Sequence, residues 1–319
     1  MARVRTDSIF GPVAHDLDRL ETRLLQAVEE DGGAMSTAMA DLIAAGGKRI
    51  RPGLVLLWAS LGSYEFEHAA PAAIAIEVTH AATLVHDDVI DRAELRRGRP
   101  TAAKRLGPDA AIVLGDHYFA KAYDLAAATG DAAVVAELAR SVMTVCRAEL
   151  AQQADRFRWS ISEDDYVARI RGKTASLLAA SCWIGAHLGQ ADALGDLARC
   201  YGEELGVAFQ ISDDVLDYTA EEAEVGKPVG HDLAEGHATL PLIKALPKLN
   251  EPPRDGRSLR PVEVTALVHA VRDSGAVEAA ATVAHEHAEL ARAALQPLPD
   301  GPTRDALAAL AGYVVSRRR

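Results

Sequence analysis

Apolar residues return at three- and four-residue intervals through nearly every segment of this chain, and β-branched residues nowhere gather in the alternation of a half-buried strand. Alanine, the strongest helix former, is abundant throughout. That spacing commits the chain to an all-α fold. The intervals mark helices near 11–31, 35–44, 52–60, 69–92, 110–128, 132–154, 163–187, 191–218, 240–246, 261–274 and 275–294, with a last one ending near Val315. Glycine and proline punctuate them at Gly46 and Gly47, Gly62, Gly98 with Pro100, Gly107 with Pro108, Gly130 and 226–230. The most loop-like run, 247–261, holds Pro252, Pro253 and Gly256. The helices beyond it are packing helices rather than a second core, so it reads as a surface loop within one domain spanning 1–319.

With 49% apolar residues in 319, the chain can bury a substantial core. Its net charge of −12 offers no basic face to a nucleic acid. The three cysteines, Cys146, Cys182 and Cys200, form no CxxC pair, which argues against a disulfide framework or a zinc site and for a reducing, cytoplasmic setting. The apolar stretches near 54–61 and 69–85 are short or broken by Glu77 and His80, below the roughly 20 residues a membrane span needs. The first ten residues lack the apolar stretch of an export signal. A soluble protein is expected, with contact to a membrane surface only through a greasy product.

Two short acidic motifs carry the chemistry: Asp87-Asp88-Val89-Ile90-Asp91 and Asp213-Asp214-Val215-Leu216-Asp217. Both are DDxxD, and random placement of 25 aspartates predicts roughly 0.15 such matches. On a helix the first and last aspartate of each lie one above the other. Each cluster follows an apolar stretch, 81–85 or 206–211, so like charges are packed beside a core. That costs on the order of several kcal/mol unless a cation neutralises them. Magnesium suits the task, because it takes hard oxygen ligands and completes its shell with water and substrate phosphate.

Basic residues at turns supply the complementary charge. Lys48 and Arg51 sit where Gly46 and Gly47 open a helix, a natural anion site. Arg96 and Arg97 follow the first acidic motif, Lys173 and Thr174 follow Arg171-Gly172 without a Walker A glycine pattern, and Lys227 lies in the loop after the second motif.

Taken together, Glu77-Val78-Thr79-His80, His86 to Asp91 and Arg96-Arg97-Gly98-Arg99-Pro100-Thr101 resemble the first aspartate-rich region of the trans-isoprenyl diphosphate synthases. The stretch from Gly206 to Asp217, with Phe209-Gln210, is similar to the second. The resemblance implies a single large bundle of long helices around a central cavity, paired as a homodimer. It implies condensation of isopentenyl diphosphate with an allylic diphosphate. Asp87, Asp88 and Asp91, with Asp213 and Asp217, would hold magnesium, three ions with substrate bound. Arg96, Lys173, Thr174 and Lys227 would grip the allylic diphosphate beside Gln210, and Lys48, Arg51, His80 and Arg97 the isopentenyl one. A second diphosphate pocket and a full second motif favour elongation over terpene cyclisation or a regulatory subunit.

His237 departs from the family pattern, standing where many members place a lysine toward the diphosphate, which makes binding there weaker or pH-dependent. In this family bulky aromatics four or five residues before the first aspartate go with short products; here those positions are Thr83 and Ala82, with Thr79 further back. The path is open, and a product of roughly C30–C50 is expected, with C20 as the alternative.

Overall fold

The computed structural model describes residues 9–45, 48–219 and 229–316, and its regular structure is helical apart from one short hairpin. The helices are α1 (Ala14–Glu29), α2 (Gly33–Ala44), α3 (Ile50–Ala59), α4 (Phe66–Ile90), α5 (Ala102–Leu106), α6 (Pro108–Ala127), α7 (Ala132–Ala154), α8 (Glu163–Ile170), α9 (Ser176–Leu188), α10 (Gly195–Thr219), α11 (His231–Glu235), α12 (Leu240–Ala245), α13 (Pro261–Asp273), α14 (Ala276–Ala294) and α15 (Pro302–Ser316). The all-α expectation therefore holds. Strands β1 (Leu95–Arg96) and β2 (Arg99–Pro100) pair antiparallel, Leu95 opposite Pro100. Arg97 (φ 51°) and Gly98 (φ 75°) are both left-handed, as a two-residue turn matched to strand twist requires.

Among the described residues, no helix is long and apolar enough to cross a membrane. The chain divides into two compact units: Met1–Val142, Ala180–Arg199 and Asp300–Ala306 form one, Met143–Ala179, Cys200–Pro299 and Leu307–Arg319 the other.

In the first unit α3 is apolar on every side beyond Arg51, and Leu54, Val55, Leu56, Leu57 and Trp58 are fully buried. Each such burial contributes about 1.5–3 kcal/mol. Gly185 of α9 makes the close approach possible, because a Cβ there would stand 2.3 Å from the Val55 carbonyl oxygen. Gly115 of α6 likewise admits the His86 ring of α4, whose Nε2 lies 3.0 Å from the Ile112 carbonyl oxygen.

The second unit is built on a cluster that includes Trp159, Tyr166, Ile170, Val207, Ile211, Leu233, Leu240 and Val271. The helix expected over 163–187 is interrupted by one π-helical turn, Arg171–Ala175, between α8 and α9. Gly172 and Gly206 bring backbones together there: a Cβ on either would stand 2.8 Å or less from Ala148 or Ala175. The 247–261 run is tied down by Asp255, which accepts from the backbone N–H of Trp159 at 2.7 Å.

Candidate active site

In the first unit, α4 delivers the first acidic motif at its C-terminal end. The helix stops because Arg92 takes a left-handed conformation (φ 51°). The N–H of Ala93 then reaches the carbonyl of Asp88 at 2.9 Å and that of Arg92 the carbonyl of Val89 at 3.2 Å, closing a Schellman turn. The three carboxylates thus sit at the negative end of a helix dipole, where cations are favoured and anions are not. One cation is already in place: Arg96 Nε donates to Asp88 Oδ1 at 2.7 Å, with Asp88 only 2% exposed. Asp87 and Asp91 are half-buried, one turn apart.

His80 lies two turns upstream on α4, half-buried. Its pKa is held well below the ordinary imidazole value, by burial first and then by Arg51, Arg97, Arg96 and Arg49. Lys48 is exposed at the start of α3 and Arg51 is half-buried in its first turn. The structure so gathers His80, Arg51, Arg96 and Arg97 into one basic neighbourhood. Thr79 and Ala82 are fully buried, and Thr83 is half-buried with its hydroxyl donating to the His80 carbonyl at 2.7 Å.

In the second unit, Ser162 caps α8 by accepting from the Asp165 N–H at 3.1 Å, and Glu163, Asp164 and Asp165 favour that helix start. From α8, Tyr166 donates to Asp214 Oδ2 at 2.6 Å. Gln210 Nε2 donates to Asp214 Oδ1 at 2.8 Å, and Thr174 donates to Gln210 Oε1 at 2.7 Å. Burial pushes the Asp214 carboxyl up to about 7, with Tyr166 and Gln210 acting against it and Asp213 adding to it. Asp217 accepts from the backbone N–H groups of His231 at 3.2 Å and Asp232 at 3.0 Å, which anchors the start of α11. Asp232 is held well above the usual carboxylate range by burial and by Asp217 and Asp214.

Lys173, on the π turn, pairs with Glu149 at 2.6 Å. Burial acts upward on Glu149, but Lys173 and Gln153 bring it below its ordinary value. Arg169 Nη2 donates to the Ala238 carbonyl at 2.6 Å and fixes the backbone beside His237. Burial, then Arg169, Lys173 and Arg156, hold the His237 imidazole down to about 4. Its Nδ1 is buried without a hydrogen-bond partner. Lys227, Gly46 and Gly47 lie outside the described residues.

Sequence reasoning missed Tyr166, Arg169 and Asp232 as site residues. Tyr166, Arg169 and Lys173 stand at i, i+3 and i+7, a helical stripe that was there to be read. Arg49 and Glu77 were also passed over, and they form a buried ion pair at 2.7 Å.

The carboxylates of Asp87, Asp88, Asp91, Asp213 and Asp217 are hard oxygen donors, suited to a divalent cation of the magnesium or calcium kind. Among the described residues no three His, Cys, Asp or Glu side chains make a metal site by themselves. A cation that completes its shell with water and substrate phosphate fits that donor set.

Comparison with known proteins agrees. A model of the polyprenyl synthetase family matches residues 33–256. The heptaprenyl diphosphate synthase component 2 of Geobacillus stearothermophilus is 36% identical over 318 residues, covering 98% of this chain and 99% of the relative. The octaprenyl diphosphate synthase of Escherichia coli is 34% identical, covering 96% and 97%. The crystal structure of a polyprenyl synthase from Caulobacter crescentus, complexed with calcium and isoprenyl diphosphate, superposes with a TM-score of 0.91 at 34% identity over 100% of both chains. With its fold, nearly its full length and the range 33–256 that contains both acidic motifs matched in this way, the chain belongs to the polyprenyl synthetase family.

Proposed function

We infer that this chain is a prenyltransferase that joins isopentenyl diphosphate to an allylic diphosphate and repeats the step to make a long-chain linear polyprenyl diphosphate. The observation that carries it is local to α4: carboxylates at the helix end with Arg96 on Asp88, and two turns back a histidine whose protonation the charges of Arg51, Arg97 and Arg96 oppose. A site for cations beside a site for anions is what two diphosphate substrates require. The heptaprenyl and octaprenyl synthases among its relatives support a product of roughly C30–C50 rather than C20. The family match runs through both compact units, in favour of one catalytic domain.

Asp87, Asp88 and Asp91 would hold magnesium in the first unit, and Asp213 with Asp217 a further ion in the second. A bound divalent cation neutralises the negative charge that develops on the departing diphosphate. Arg96 and Lys173 add fixed positive charge to the allylic diphosphate, and Lys227 belongs to the same set by sequence. Lys48, Arg51, His80 and Arg97 hold the diphosphate of isopentenyl diphosphate, whose double bond attacks the allylic carbon. Buried apolar walls keep water from the cationic carbon, and the proton lost in the last step goes to the departed diphosphate. We propose a homodimer.

The test is direct: purified protein, labelled isopentenyl diphosphate, magnesium and each allylic primer in turn, followed by sizing of the dephosphorylated products. Long linear products, abolished by a chelator, are expected. A relative named as component 2 of a heptaprenyl diphosphate synthase gives reason to run the assay with the chain alone. Inactivity alone, reversed by a partner protein, would move the reading to one half of a two-chain enzyme.

A further inference from the structure

We propose that Arg49 and Glu77 are positioning residues: their buried ion pair holds the backbone of Arg49, at the entry to α3, in the one conformation that aims Lys48 and Arg51 at the same diphosphate. The proposal rests on the reading of Lys48, Arg51, His80 and Arg97 as the seat of isopentenyl diphosphate.

Arg49 lies between the two cations in sequence, yet it faces inward. It is 7% exposed, and its Nη1 donates to Glu77 Oε1 at 2.7 Å. Its Nη2 donates to the Ile43 carbonyl in the last turn of α2 at 2.9 Å and reaches Glu21 of α1 at 3.4 Å. One guanidinium therefore ties together α1, the end of α2, the start of α3 and the middle of α4. Its fork of donors in fixed geometry is what allows a single side chain to do this.

Two features of the pair work against stability. Taking both charges out of water costs more than their attraction returns unless every donor is satisfied, so apolar residues would serve the core at least as well. The backbone at Arg49 is left-handed (φ 48°, ψ 35°), a conformation that disfavours any residue with a Cβ. Both costs bear on Arg49, which lies between Lys48 and Arg51 in sequence. Glu77 also stands one helical turn before His80 on α4. The brace thus sets the turn with Lys48 and Arg51 against the helix face that carries the third member of the group. Without it, the turn would relax toward right-handed geometry, and the two cations would separate.

Three variants test this: Glu77→Gln, Arg49→Lys, and the double replacement Arg49→Met with Glu77→Leu. The double variant removes both buried charges and fills the space with apolar atoms, so it keeps its melting temperature while losing the brace. In all three, KM for isopentenyl diphosphate should rise about tenfold or more while KM for the allylic primer stays within about twofold, since displacing a binding group by an ångström costs that order. Titration calorimetry with isopentenyl diphosphate alone should show the same weakening. Glu77→Asp, which keeps the charge, should recover part of the affinity.

A folded double variant with wild-type KM for isopentenyl diphosphate would overturn the proposal. So would equal rises in both KM values, or failure of all three variants to fold, since each marks a merely structural pair. Lys48→Ala is the control on the underlying reading: unchanged affinity for isopentenyl diphosphate there would sink the site assignment and leave the brace without a purpose.

Discussion

The two acidic motifs are spelled alike, DDxxD, and the two units treat them differently. The first ends its helix: Asp91 is the cap residue of α4, and Arg92 turns the chain away. The second lies inside α10, which runs on to Thr219. The middle aspartate of the first, Asp88, faces a fixed cation, Arg96. That of the second, Asp214, is bound by two neutral donors, Tyr166 and Gln210, and its pKa is raised to about 7. Spacing sets which carboxylates share a helix face; the neighbours from other elements set how much charge each can carry.

The largest expected effect follows from what the motifs share. Asp87→Ala and Asp213→Ala each remove a proposed metal ligand and relieve local repulsion. Turnover should fall by about 10³-fold, because charge stabilisation on the leaving group is lost. Circular dichroism and melting should show an intact helical fold. Near-normal activity in a folded Asp87→Ala protein would break the metal-site reading.

The next effect separates the motifs. Asp88→Asn strips Arg96 of its partner and should lower stability by about 2 kcal/mol, less than a fully buried pair would cost because Arg96 is partly exposed. Asp214→Asn should be milder at neutral pH and should carry a pH signature. A carboxyl raised from about 3.9 unfolded to about 7 folded contributes stability that is whole below pH ~4 and lost as pH rises through 7. The amide does not ionise. In chelator, the melting temperature of Asp214→Asn relative to wild type should therefore climb from pH 5 to 8, and a flat difference would show that Asp214 is ionised throughout.

How much of this was legible in the sequence depends on where the information lay. The expected helix over 132–154 coincides with α7, and the one over 69–92 differs from α4 by a few residues, because both are long and periodic. The π turn was not legible, since one extra residue within an apolar helix leaves the 3.6-residue pattern almost unchanged. Arg49, Arg92 and Arg97 are left-handed where glycine or asparagine would announce a turn, and of these Arg49 is also tied by its side chain to Glu77, a contact 28 residues away in sequence. The short helices α5 and α11 lie in stretches too brief for periodicity to register. The motif spacing put each trio of aspartates on one helix, yet it could not distinguish Asp88 from Asp214.

A smaller effect concerns His237, where the sequence suggested a pH-dependent contact. In the second unit cations already surround this position, and the imidazole is neutral down to about pH 4. Because its folded pKa is depressed, the stability tied to the neutral ring is present above about pH 6.5 and is lost as pH falls toward 4. His237→Lys adds a permanent charge beside Arg169, Lys173 and Arg156. Without ligand it should cost about 1–2 kcal/mol of stability, and KM for the primer should drop at neutral pH. The gap in KM between the two proteins should stay constant from pH 6 to 8. A gap that narrows toward pH 6 would mean that the bound diphosphate protonates His237.

The smallest effect on rate, and the one most specific to product, concerns the residue four before each motif. In the second motif that position is Phe209; in the first it is Thr83. Thr79, Thr83 and Asp87 form a stripe along α4, so a chain growing away from Asp87 would run over these small side chains. Of the three positions expected to control length, Ala82 and Thr79 are fully buried and Thr83 alone is half-buried. A ring at Ala82 has no room, and Ala82→Phe should cost about 1–3 kcal/mol from overpacking before it affects any product. A ring at Thr83 can be accommodated, and it carries to the first motif the kind of side chain the second already has. Thr83→Phe should melt close to wild type, turn over at a similar rate for the first condensation, and shift its products toward C15–C20. An unchanged product ladder from the folded Thr83→Phe protein would place the elongation path on another face, and the absence of an aromatic before the first motif would then say nothing about length.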